Sequence, residues 1–223
     1  MITRDYIMRM INLLAAALAR VLSLKKEKDF PQALLEIERT YKHLLGVHRE
    51  FLHRLSDIQM IDLLGSDQTA ASSKYYVLGM LLKEEGEILQ LQEKSAEGFA
   101  LSETSLSLLI ESFLYANGPA DENHAVAIDT LIERLRLQEV SPRVKEKMFT
   151  YFEHTGRYSK AEDTLFELIQ TDPTFMQRGV QFYRRLLSKT DDQLLRGNLP
   201  RVEIEQALED LQERANRSTG RSA

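Results

Sequence analysis

Apolar side chains return every three to four residues along almost the whole chain, with polar residues on the opposite side of each implied rod. That rhythm belongs to amphipathic helices. No stretch of period-two alternation is long enough for a strand. The punctuation agrees. Ser141-Pro142 and Asp172-Pro173 read as cap and first-turn pairs, in which a side chain accepts an orphan N–H and proline loses nothing. Pro31 and Pro200 precede strongly periodic runs, and Asn117-Gly118-Pro119 is a turn signal. Ser56 with Gln59, Ser159 with Glu162 and Thr190 with Gln193 have the spacing of capping boxes. These stops predict helices over 3–23, 29–45, 56–64, 70–93, 96–116, 121–138, 142–155, 159–171, 174–188 and 201–215. Short linkers make successive helices fold back antiparallel. The expected fold is therefore all-α, a stack of about ten helices in antiparallel hairpins. One helical domain is expected over 1–215, with 1–65 and 70–215 as candidate sub-units about the loop-like Gly65–Ser73 stretch. The polar segment 216–223 reads as a disordered tail.

The first helix needs a decision of its own. Ile11 to Ala19 is apolar enough to mimic a signal-peptide core, yet Ile7, Met8, Ile11, Leu14, Ala15 and Leu18 share one face at helical spacing. No uninterrupted apolar run reaches roughly 18 residues. The reading favours an amphipathic core helix over a secretory signal or a membrane span, and a cytoplasmic setting.

Composition sharpens this picture mainly by exclusion. Among 223 residues there are only ten glycines and five prolines, which suits a helical chain. There is no cysteine, which removes disulfides, thiolate metal sites and cysteine nucleophiles. A net charge of −5 gives no strong field and disfavours nucleic acid as the main partner.

Residues 142–175 carry a more specific pattern. Thr155-Gly156 stops one helix, Tyr158 follows the glycine by two, and Ala161 is a small residue suited to close helix approach. Leu165, Leu168 and Ile169 continue its stripe, Met148 and Phe152 fill apolar positions on the preceding helix, and Asp172-Pro173 closes the unit. This segment resembles a tetratricopeptide repeat, a helix hairpin of about 34 residues. Lys145 stands where a large aromatic is usual and Phe149 where a glycine is usual, so the hairpin angle is expected to differ. Weaker echoes occur at Asp29 to Ala33 with Ile37 and Tyr41, and at Tyr75, Leu78, Gly79 and Leu82. The repeat is irregular, which points to a divergent stack. The opening Asp5 to Ile11 and the Leu55-Ser56-Asp57 helix start resemble an uncharacterised family of bacterial helical proteins, a domain of unknown function. That resemblance implies a bacterial cytoplasmic setting and no activity.

The chemistry-bearing residues form no catalytic pattern. His43, His48 and His53 are five apart, about 140° round a helix from one to the next, so they do not converge on a metal. Glu50-Phe51-Leu52-His53 has the Glu-x-x-His spacing of di-iron bundles but no second copy. An exposed or bridging histidine is expected there. Asp121-Glu122-Asn123-His124 reads as a helix start complementing the macrodipole. Ser102, Ser105 and Ser107 read as a lightly polar helix face, and Tyr75, Tyr76, Phe99, Phe113 and Tyr115 as core. Six basic residues between Arg178 and Arg201 face only Asp191 and Asp192 locally, but acidic residues from Glu203 to Glu213 follow. A solvated face with interhelical salt bridges is expected. No cofactor or metal is expected.

A binding protein is thus favoured over an enzyme. The expected function is a scaffold that takes an unknown protein, a peptide or a partner helix, on a concave face. By the repeat resemblance, the facing positions are Arg143, Glu146, Thr150, Glu153 and His154. Glu146 and Thr150 replace the lysine and asparagine of a carboxylate clamp, and Glu146 with Glu153 suits a basic partner. The alternatives are a small-ligand or enzymatic helical protein with an unrecognised site, and a homo-oligomer whose apolar face pairs with itself.

Overall fold

The computed structural model describes residues 2–65, 70–115 and 122–219. Among them there are twelve helices and no strand. These are α1 (Ile2–Lys26), α2 (Phe30–Leu45), α3 (Arg49–Leu52), α4 (Asp57–Gly65), α5 (Ala71–Leu91), α6 (Ser95–Tyr115), α7 (Glu122–Leu135), α8 (Pro142–His154), α9 (Tyr158–Thr171), α10 (Phe175–Leu187), α11 (Asp191–Arg196) and α12 (Arg201–Thr219). The ten expected helices are all present. Two short ones, α3 and α11, lie outside the expected ranges, and α11 begins at the Thr190 capping signal. The α11 turn is fixed by the Thr190–Gln193 capping box, with both reciprocal hydrogen bonds formed. Ser56 and Gln59 form the same box before α4. The third does not form: Ser159 lies inside α9, its N–H donates to the Gly197 carbonyl, and Glu162 accepts from Tyr183 instead. The Asn117-Gly118-Pro119 turn, Asp121, and residues 66–69 and 220–223 lie outside the described residues, whereas α12 continues through Thr219 into the expected tail.

The chain forms two compact units, Met1–Val140 and Ser141–Ala223. The expected break between 65 and 70 falls inside the first, because Met60 and Leu64 share one core with Tyr75 and Leu78.

In the first unit α1 and α2 form a hairpin beside α5. Asp29 caps α2 by accepting the Gln32 N–H, with Pro31 in the first turn. Met10, Leu14, Ala17 and Val21 of α1 enter the core. That face is rotated from the expected one, and Met8 and Ala15 are exposed. By length and composition α1 could cross a membrane, a property the unbroken-run criterion missed.

The centre of this unit is the antiparallel pair α5–α6. Ser72, Gly79 and Gly86 recur every seven residues on α5, as do Gly98, Ser105 and Ser112 on α6. They meet as 72 with 112, 79 with 105 and 86 with 98. Ser112 donates to the Ser72 carbonyl at 2.7 Å, Ser72 to the Ser112 carbonyl at 3.0 Å, and Ser105 to the Gly79 carbonyl at 2.7 Å. Ser102, Ser105 and Ser107 are fully buried, which overturns their reading as a polar face. A small hydroxyl that returns its hydrogen bond to a backbone carbonyl can be buried at little cost. The seam lets the two backbones approach closely. His124 of α7 is also buried, within 2.9 Å of the Leu109 carbonyl and edge-on to Tyr76 and Phe113, so it belongs to packing rather than to a cap. Of the five aromatics expected as core, Tyr75 is buried, while Tyr115 is exposed.

In the second unit α8 and α9 form a hairpin turning on Gly156, whose φ of +73° favours glycine. Tyr158, Ala161, Leu165 and Leu168 are buried. Phe149 points toward α10, where its ring meets Phe182 edge-on at 5.2 Å. Further on, α10 packs against α12, with α11 in the connection. Arg201 holds that connection by donating to the Leu187 and Lys189 carbonyls at the end of α10 and to Asp191.

Candidate functional site

Two places concentrate charge, one in each unit. In the first, the Glu84-Glu85-Gly86-Glu87 run of α5 is turned inward. Glu85 is fully buried and accepts from Tyr41 at 2.8 Å, from Arg49 and from His53 Nε2 at 2.8 Å. Burial pushes its carboxyl up, but His53 and Arg49 outweigh that and hold it below the ordinary glutamate value. The same burial, with Glu85 beside it, raises Tyr41 well above a normal phenol. Glu84 pairs with Lys25 at 2.5 Å and Lys83 at 2.7 Å, and Glu87 with Lys25 at 3.0 Å and Arg134 at 2.7 Å. Each carboxylate is committed to cations from a neighbouring segment, so the cluster reads as structural. It absorbs His53, the bridging histidine of the Glu-x-x-His motif. His48 instead lies 3.3 Å from Glu38.

The second place is an open cleft of about 420 Å³ in the second unit, at the C-terminal ends of α8 and α10. Thr150, Glu153 and His154 line it from α8, Tyr158 from the start of α9, and Arg185, Leu186, Ser188 and Lys189 from the end of α10. Three of the five expected facing positions therefore come together here, and Arg143 and Glu146 do not line it. The two acidic positions are already engaged. Arg185 grips both Glu153 oxygens, at 2.7 and 2.8 Å, and this contact raises the guanidinium's own pKa. Arg178 donates to Glu146 and, at 3.0 Å, to Thr150, and it lies over the Phe149 ring. A basic partner for Glu146 and Glu153 would have to displace these arginines.

Arg185, Ser188 and Lys189 were absent from the expected site. A signal for one of them was present. Glu146 and Glu153 are seven apart, Arg178 and Arg185 are seven apart, and each pair is separated by 32 residues. Two rows of opposite charge with constant offset mark two helices lying side by side. The basic stretch also behaves as expected, with Arg178, Arg185 and Arg201 in ion pairs.

Among the described residues, no group of three or more His, Cys, Asp or Glu is placed to hold a metal. Over residues 1–216 the chain matches a family model described as "Family of unknown function (DUF6483)". No curated protein and no solved structure matches it.

Proposed function

The chain belongs to the DUF6483 family of unknown function, and we propose that it acts as an interaction scaffold whose second unit receives a peptide or helix of a partner protein in the α8–α10 cleft. The observation that carries this reading is the cleft itself, lined by the ends of two successive hairpins. Lys189 brings an exposed ammonium to its rim, beside the Arg185–Glu153 ion pair. Such a surface suits a segment that presents an acidic side chain. This replaces the basic partner expected from Glu146 and Glu153, because Arg178 and Arg185 neutralise both. A bacterial, cytoplasmic setting accompanies the proposal and rests on the sequence resemblance.

The test places a photo-crosslinking amino acid at His154 in the full chain and irradiates it in native extract. A dominant adduct is expected, absent when the probe replaces the exposed Val202. Lys189→Glu should weaken that adduct without moving the melting temperature. Equal labelling from both positions, or labelling indifferent to Lys189→Glu, defeats the proposal.

A further inference from the structure

Helix α1 is apolar on two sides and buried on one. Its core stripe is Met10, Leu14, Ala17 and Val21. A second stripe, Met8, Ile11, Ala15, Leu18 and Leu22, repeats with the alternating four- and three-residue steps of a heptad seam. The two stripes lie about 100° apart round the helix. Ile11 and Leu18 are half-buried at the near edge of the second stripe. Met8 and Leu22 are 55% and 46% exposed, and Ala15 and Ala19 are exposed with them. Over its most apolar stretch α1 has a mean hydropathy of 1.7 yet is only 22% buried. The first unit thus uses one of two seams.

We propose that the second seam pairs with the same seam of another copy of this chain, antiparallel, to form a weak homodimer. About a two-fold axis at Ala15 the ends of the stripe exchange: Met8 meets Leu22 of the other copy, Ile11 meets Ala19, Leu18 meets Asn12, and Ala15 meets itself. Small residues at the crossing allow helix axes to approach to about 8 Å, and the larger side chains close on either side. The ends favour the same direction. Asp5 lies in the first turn and Lys26 in the last, so antiparallel copies set each Asp5 beside a Lys26. Parallel copies would set Lys26 beside Lys26. The area sets the strength. A helix of 25 residues is about 37 Å long, and a strip one helix wide buries roughly 800 Å² over both copies. That is the size of a transient contact, so the pair is a weak one. This inference is independent of the cleft in the second unit.

Sedimentation of the full chain between about 10 μM and about 1 mM brackets an interface of that size. A rise toward the dimer is expected. Met8→Glu and Leu22→Glu should each weaken it by at least about tenfold while circular dichroism and melting stay unchanged, since both positions are exposed. The absence of native cysteine permits a geometric check. On oxidation Ala15→Cys should give a covalent dimer and Met8→Cys alone should not, whereas Met8→Cys mixed with Leu22→Cys should. The proposal is overturned by a monomer at the highest concentration with no Ala15→Cys dimer, or by association that Leu22→Glu leaves intact. Self-linking of Met8→Cys, which marks a parallel pair, overturns it too. So does a monomer that floats with phosphatidylglycerol vesicles, because lipid would then cover the stripe.

Discussion

Replacing a mid-helix glycine by alanine ordinarily stabilises a helix by about 0.8–1 kcal/mol, because the backbone loses less freedom on folding. At Gly86 the α5–α6 seam reverses the sign. A Cβ there would stand 2.9 Å from the Gly98 carbonyl oxygen, 2.9 Å from Ser102 Oγ and 3.3 Å from the Ser102 backbone nitrogen. Two of these atoms are backbone of the facing helix, so relief requires the helices to separate by several tenths of an ångström along a seam also fixed by the Ser105 and Ser112 hydrogen bonds. Overpacking of this kind costs about 1–3 kcal/mol. Net of the propensity gain, Gly86→Ala should destabilise by up to about 2 kcal/mol, which lowers the melting temperature by roughly 2–4 °C per kcal/mol in a unit of this size. Gly98→Ala should cost more, since its Cβ would meet the Gly86 carbonyl at 2.6 Å. The double variant should cost less than the sum, because one separation accommodates both methyl groups. Thermal and chemical denaturation of the four proteins measures the cycle. A Gly86→Ala protein that melts higher than the parent would refute the close-packed seam.

The buried carboxylate gives a second expectation. Glu85→Ala leaves the fully buried Tyr41 hydroxyl without its acceptor and should cost about 3–5 kcal/mol by urea unfolding. Because the native Glu85 carboxyl titrates below its ordinary value, its stabilising effect is complete above that value and is lost as pH falls through the native one. Glu85→Gln should therefore flatten the acid limb of stability against pH, and an unchanged limb would contradict the ion network. Arg201→Ala frees the Leu187 and Lys189 carbonyls at the end of α10 and should cost about 1–2 kcal/mol, with faster amide exchange over residues 187–201 as the local sign. Gly156→Ala meets no close atom but must hold φ at +73°, so it should cost about 1 kcal/mol without altering the helix content seen by circular dichroism.

The elements were legible in the sequence where a residue has one local meaning. Pro31, Ser56, Gly156 and Thr190 mark helix ends through backbone chemistry that acts within a turn or two, and the structure places them there. Residues whose meaning depends on a distant partner were misread. Ser105 looks polar in isolation and is core because the Gly79 carbonyl waits on another helix. The face of α1 was placed too far round because the helix carries apolar side chains on more than one side, and periodicity cannot say which side the protein covers. The candidate cleft divides in the same way. Thr150, Glu153 and His154 were legible through the repeat resemblance along α8, whereas Arg185, Ser188 and Lys189 arrive from α10 only once the helices pack.

The acidic run of α5 shows how charge settles what apolar periodicity leaves open. Val77, Leu78, Leu81, Leu82, Ile88 and Leu89 are buried nearly all round the helix, and a rod greasy on every side does not by itself dictate which neighbour lies where. The three glutamates do. Glu84 and Glu87 share Lys25 of α1, Glu87 also takes Arg134 of α7, and Glu85 takes Tyr41 of α2 with Arg49 and His53 from α3 and its end. A rearranged packing would strand at least one of these carboxylates in the interior, at a cost of about 3–5 kcal/mol, which is a large share of a domain's whole stability. Replacing Glu85, Arg49 and His53 together by apolar residues, with Tyr41→Phe so that no buried hydroxyl is left without its acceptor, removes that penalty. The specificity reading then expects a unit that keeps its melting temperature but loses the sharpness of its unfolding transition and of its amide resonances. A combined variant as cooperative and well ordered as the parent would show that the apolar core alone selects the arrangement.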